Sequence, residues 1–138
     1  WSATGELDEL QATFADFHED VRAVLAACPR VHKWALFERD PLPRWSEGNV
    51  TLMGDACHAM TPYMAQGAAT SLEDAVVLSR CIADADGADF AATFRRFEAA
   101  RMERTSKIQA TSHRNEFMRQ ATDPDWVYGY DAWQVELP

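Results

Sequence analysis

The sequence predicts an α/β protein in which helix outweighs sheet, so that this chain by itself reads as α+β, mostly helical with a small sheet. Three observations carry that expectation. Val50 to Met53 is a short, uniformly apolar run that breaks at Gly54-Asp55, as a strand of a parallel sheet covered on both faces does. Two long helical patterns follow it, Gly67 to Ala83 and Phe90 to about Gln120. Upstream, Val31 to Glu38 alternates loosely and is rich in strand formers.

Taken in order, Glu6 to Phe17 reads as a helix, with Leu7, Leu10, Phe14 and Phe17 on one face and Glu6, Asp8 and Glu9 in the first turn. A shorter helix over Asp20 to Ala27 carries Val21, Val24 and Leu25, and Pro29 stops it. The Val31–Glu38 strand ends at Pro41 and Pro43, and Ser46 to Asn49 is a turn. In the helix from Gly67 the inward positions read as Leu72, Ala75, Val76 and Ile82. Asp84 to Ala88 is a turn. The long helix carries Phe90, Phe94, Phe97 and Ile108 on one stripe, interrupted by Arg101 and Arg104. Beyond Thr122 the tail is irregular and aromatic, with Trp126, Tyr128, Tyr130 and Trp133.

The 138 residues suffice for one real core. Hydrophobic residues make up 47% and charged residues 25%, ordinary for a globular protein. A net charge of −9 and a pI near 4.8 argue against nucleic acid and anionic membranes as partners. No apolar run approaches the roughly 18 residues of a membrane span. The chain opens on Trp1-Ser2-Ala3-Thr4 with no basic and apolar leader, which reads as a piece of a longer protein. Cys28, Cys57 and Cys81 are scattered and odd in number, as reduced cysteines of a cytoplasmic protein are.

Gly54 lets the backbone turn sharply and approach a ligand, and a carboxylate at Asp55 can accept from a sugar-like hydroxyl. An Asp that merely caps a loop would look the same. Gly67 then opens a helix, whose first N–H groups lack intrahelical acceptors and favour an electron-rich atom. A strand, a carboxylate and a helix start in this order suit a nucleotide-like cofactor.

Gly54, Asp55, Ala56, His58, Pro62, Gln66, Gly67, Glu73, Asp74 and Ala75 together resemble the second FAD-binding motif of the single-component flavoprotein aromatic hydroxylases, with Cys57 in place of the commoner Ala. Phe37 to Trp45 resembles the strand that returns from the substrate domain, and Asp123 to Asp131 the C-terminal signature of the salicylate hydroxylase and 6-hydroxynicotinate 3-monooxygenase branch. The resemblance implies that residues 1–45 end a substrate domain and 46–138 form the C-terminal part of a Rossmann-like FAD domain. It implies FAD as cofactor, NAD(P)H and dioxygen as co-substrates, and a small aromatic or hydroxypyridine acid as substrate, hydroxylated with or without loss of its carboxyl. The flavin ring would pack on the loop at Pro62, with Gln66 nearby and the N–H groups of Gly67, Ala68 and Ala69 at its pyrimidine edge. Tyr63 would face the substrate, where the hydroxynicotinate enzymes are expected to have a His; a phenol donates a hydrogen bond but is a poor base near neutral pH.

No G-x-G-x-x-G occurs in the sequence, so the AMP half of FAD has no site here, and the chain alone reads as inactive. No metal site is expected: no Cys-x-x-Cys or His-x-x-x-His is present, and His58 reads as a structural hydrogen-bonding group. Arg101 and Arg104 could grip Glu73 and Asp74 or a cofactor phosphate. Adjacent on a helix, Glu73 and Asp74 point about 100° apart and cannot work as a pair on one atom. A second reading, from another class, is a helical module without catalysis that binds the missing half or a copy of itself.

Overall fold

The computed structural model describes residues 2–85, 89–114 and 123–138, which form two compact units, Trp1–Leu36 and Phe37–Pro138. Trp45, at the expected end of the substrate-domain segment, is a core residue of the second unit.

In the first unit, β1 (Ser2–Gly5) pairs antiparallel with β2 (Val31–Trp34), Ser2 opposite Trp34 and Gly5 opposite Val31. Helices α1 (Leu7–Thr13) and α2 (Glu19–Ala26) lie between them in sequence. β1 was not anticipated, and α1 is shorter than expected. It stops at Thr13, whose hydroxyl turns back to Glu9 O at 2.8 Å; Phe14 and Phe17 then meet edge to face outside the helix, with centroids 4.9 Å apart. β2 ends at Trp34, short of Glu38.

The second unit opens with a hairpin, β3 (Ser46–Glu47) and β4 (Val50–Thr51), joined by Gly48 at φ 55°. α3 (Asp55–His58), a 3-10 turn over Pro62–Met64, α4 (Gly67–Ala83), α5 (Phe90–Arg114) and α6 (Asp125–Tyr128) follow. The expected turn at 84–88 and the end of the long helix at 115–120 lie partly or wholly outside the described residues. The small sheet and the helical majority agree with the expectation. Among the described residues β4 pairs only with β3, antiparallel, and Val50 is 65% exposed, so no parallel neighbour of this run is present. The hairpin packs on α5 through Ser46, which leaves Val50 facing solvent.

α4 packs along α5, but with a different face than expected. Thr70, Asp74, Val77 and Cys81 are buried, whereas Leu72 (70% exposed) and Ile82 point outward. On α5 the buried stripe is Thr93, Phe97, Arg101, Thr105, Ile108 and Ser112, and Phe90 is exposed. Arg101 therefore lies within the buried stripe. The apolar core gathers Trp45, Cys57, Val77, Cys81, Phe97 and Ala132, with a smaller cluster of Met64, Ile108 and Val127. Glu98 Oε2 accepts from the N–H groups of Trp45 and Ser46 (2.9 and 2.7 Å), fastening the hairpin to α5. Arg80 donates to Ala132 O and Val135 O (2.7 and 2.8 Å), fastening the tail to α4. All three cysteines are free thiols. No described helix is long and apolar enough to cross a membrane.

Candidate cofactor cradle

Gly54 sits at φ 60°, ψ −141°, a backbone conformation open to glycine; a Cβ there would stand 2.8 Å from Ser71 Oγ. The chain then turns into α3, which points Asp55 out to solvent and buries Cys57 and His58. After the Pro62–Met64 turn, Ala65 takes φ 53°, ψ 30°, a left-handed conformation that costs an L-residue about 1–2 kcal/mol. That reversal lets α4 begin two residues later.

The result is a cavity of about 390 Å³ lined by Asp55, Met60, Thr61, Pro62, Ala65, Gly67, Ala68 and Ser71. The first bond of α4 runs from Thr70 N to Gln66 O (2.8 Å), so the N–H groups of Gly67, Ala68 and Ala69 precede it, and no side chain caps them. The first turn carries no acidic residue that would oppose an electron-rich ligand. Gly67 is helical, without positive φ, and the nearest atom to a Cβ built there is Asp55 Oδ1 at 4.0 Å. Its lack of a side chain therefore widens the cavity and answers no backbone strain.

Of the residues singled out in the sequence, Asp55, Pro62, Gly67 and Ala68 line this one cavity. Gln66 is buried and does not line it, and Ala69 lines a neighbouring groove with Tyr130 and Trp133. Tyr63 is 46% exposed and does not line the cavity. Met60, Thr61, Ala65 and Ser71 were missed. Ser71, one turn beyond Gly67, could have been found from helical spacing.

Behind the cavity lies a buried charge network. Asp74 Oδ2 accepts from Gly54 N–H (2.9 Å) and His58 Nε2 (2.6 Å), and Asp74 Oδ1 from Arg101 Nε (2.8 Å). Arg101 Nη2 reaches Glu73 Oε2 at 2.7 Å. Arg104 grips both Glu73 oxygens at 2.8 Å and donates to Trp126 O and Val127 O (2.7 and 2.9 Å). Its guanidinium stacks 4.0 Å over Tyr130. Of the two partners considered for these arginines, the carboxylates hold them. Burial alone would raise the Asp74 pKa, but the hydrogen bonds from His58, Arg101 and Gly54 outweigh it and hold the carboxyl below its ordinary value.

Cys57, His58 and Asp74 bring one potential metal-ligand atom each within 4.8 Å of one another. The trio suits a metal poorly. Burial, then the Asp74 charge, push the Cys57 thiol up to about 12, so it stays protonated. Both Asp74 oxygens are taken, and the Arg101 guanidinium beside them repels a cation.

A profile of the "FAD binding domain" family matches residues 11–114. The chain is 50% identical over 129 residues to a 6-hydroxynicotinate 3-monooxygenase of Bordetella bronchiseptica, covering 94% of this chain and 34% of that protein. Over 130 residues it is 45% identical to the Pseudomonas fluorescens enzyme of the same name, again 94% of this chain and 34% of the relative. Among solved structures, a salicylate hydroxylase substrate complex superposes with a TM-score of 0.84 at 30% identity, over 96% of this chain and 37% of that one. The chain thus spans about a third of the length of the relatives it matches.

Proposed function

The chain belongs to the FAD-binding-domain family, and from that premise we propose that it forms the flavin-ring cradle of a longer FAD-dependent aromatic monooxygenase. The observation that carries this reading is the cavity between Asp55 and the uncapped start of α4. Its residues fit a flavin. Small side chains at 65, 67, 68 and 71 leave room for a ring, the helix start offers N–H groups to the electron-rich pyrimidine edge, and Asp55 stands where a ribityl or ribose hydroxyl can donate to it. Pro62 and Met60 supply an apolar wall. Residues before the chain's Gly54-Asp55 segment in a full-length protein would supply the Rossmann-like half and the AMP site; residues 1–45 would close the substrate domain and 46–138 the FAD domain.

When bound, FAD supplies the redox chemistry that places one oxygen atom of dioxygen on an aromatic ring, with electrons from NAD(P)H. The chain's own residues hold and orient. Gly67 to Ala69 stabilise negative charge at the helix start, and exposed Tyr63 donates a hydrogen bond to a ring substituent of the substrate. The substrate class is a hydroxylated aromatic or hydroxypyridine acid, which the 50% likeness to a 6-hydroxynicotinate 3-monooxygenase supports. Loss of the carboxyl accompanies hydroxylation where it occupies the reacting position. We place the enzyme in the cytoplasm.

The second reading, a non-catalytic module that docks on another chain or on its own copy, draws on the outward-facing Val50, Leu52, Met53 and Leu72. One experiment separates the two. Full-length protein purified with FAD should oxidise NAD(P)H faster when 6-hydroxynicotinate or salicylate is added, with a hydroxylated product in mass spectrometry. Colourless protein with no stimulated oxidation by any ring acid contradicts the monooxygenase reading and leaves the module.

A further inference from the structure

Asp55, the candidate ligand for a flavin hydroxyl, is itself exposed, and nothing in its own side chain fixes where it points. What fixes it is the residue before it. The peptide groups of Gly54 are held at both ends. Its N–H donates to Asp74 Oδ2 at 2.9 Å. Its carbonyl accepts from the N–H groups of Cys57 and His58, both at 3.0 Å, and from Cys57 Sγ at 3.4 Å. One turn of α4 thus clamps the glycine from two sides, with Ser71 against the missing Cβ and Asp74 on the N–H. Asp74 is in turn fully buried and held by His58 Nε2 and Arg101 Nε. With Glu73 and Arg104 added, two carboxylates face two guanidiniums, so the charge of Asp74 is balanced where water cannot reach it.

We propose that Asp74 is a positioning residue for the cofactor: by gripping the Gly54 N–H from α4, with His58 and Arg101 holding it in place, it presents Asp55 to the flavin in a conformation set before the flavin arrives. The inference rests on the flavin reading of the cavity. A site whose backbone is ordered in advance loses less freedom on binding, so the ligand is held more tightly by the same contacts. Asp74 touches no part of the cavity; it acts through Gly54 alone.

The test uses full-length protein stripped of flavin and titrated with FAD, in wild type, Asp74→Asn, Asp55→Ala and the double variant. Asparagine keeps the volume but cannot serve three donors with a balanced charge. Asp55→Ala should weaken FAD binding roughly ten- to a hundred-fold, the worth of one charge-assisted hydrogen bond. Asp74→Asn should weaken it to a similar degree, yet add little on top of Asp55→Ala, because both remove the same contact. If Asp55→Ala weakens binding while folded Asp74→Asn binds as wild type, or if the two losses multiply, Asp74 is a fold residue only and the proposal fails. If Asp55→Ala binds FAD as wild type, the flavin reading of the cavity falls and the proposal with it. Should Asp74→Asn not fold, hydrogen exchange of the wild-type apoprotein decides. The Gly54 amide should be strongly protected without FAD and change little on its addition. An amide that exchanges freely until FAD binds means that the ligand builds the turn, which overturns the proposal.

Discussion

In Trp1–Leu36 the Phe14–Phe17 pair and the Lys33–Glu9 ion pair lie at or near the surface, and none of the described residues is buried. In Phe37–Pro138 a guanidinium, a carboxylate and an imidazole are wholly out of water, as are Phe97, Val77 and Ile108. The first unit is held by a four-residue strand pair and local helix contacts. The second closes an apolar core and a charge network around one turn of α4. A structure of the first kind loses little when one side chain is changed, because water replaces what is lost. A structure of the second kind fails sharply, because a buried group left without its partner cannot be rescued by water.

The largest effect is therefore expected from Arg101→Ala, which strands Asp74 in the interior. Roughly 3–5 kcal/mol of stability should go, and chemical denaturation of the chain should show a lost or strongly lowered transition for the second unit. Phe97→Ala, emptying a fully buried ring site between Trp45 and α4, should cost a comparable amount, about 3–5 kcal/mol. Gly54→Ala comes next. A methyl at φ 60° meeting Ser71 Oγ at 2.8 Å should cost roughly 1–3 kcal/mol and displace Asp55, read as a lowered melting temperature and reduced flavin content of the full-length protein.

Acid should expose the same asymmetry. Asp74 has a folded-state pKa below its unfolded value, so its contribution is present above the unfolded value of about 3.9 and disappears as pH falls through the folded one. Cys57 works at the other end: its thiol is raised to about 12, so its contribution is present below 9.0 and is lost as pH climbs from there. Urea midpoints across pH should thus hold steady from 5 to 8 and fall on both sides, and Asp74→Asn should flatten the acid limb. Least of all should follow from Lys33→Met in the first unit. Its pair with Glu9 is more than half exposed on both sides, and exposed pairs are worth about 0.2–1 kcal/mol.

How far the sequence is legible differs between the same regions. α4 begins and ends at the residues read from Gly67 and the Asp84 turn, because helix punctuation is local chemistry. Its inward face was misread for a physical reason. Apolar periodicity points to Leu72 and Ile82, while the buried positions include Thr70, whose hydroxyl donates back to Gln66 O and Gly67 O, and Asp74, made acceptable by partners on α5 and at Gly54 that lie far away in sequence. Arg101 interrupts the apolar stripe in the sequence, yet the partners expected for it, Glu73 and Asp74, are the ones that hold it inside the buried face. The run Val50–Met53 does ask for cover, but hydrophobicity does not say which segment provides it. Of the residues that the family resemblance offers for a cofactor, Asp55, Pro62, Gly67 and Ala68 converge on one cavity, while Gly54, Gln66, Ala69 and Tyr63 do not line it. Ala65 was not legible, since nothing in an alanine announces a left-handed backbone.

On the proposed function, the cavity between Asp55 and the start of α4 receives the flavin ring. Ala68 is exposed at its rim, so a larger side chain there fills the cavity without entering the core. Full-length protein carrying Ala68→Trp should melt as wild type yet emerge from gel filtration without flavin and fail to bind added FAD in a fluorescence titration. A yellow variant that retains FAD at wild-type affinity would place the ring outside this cavity and overturn the flavin reading.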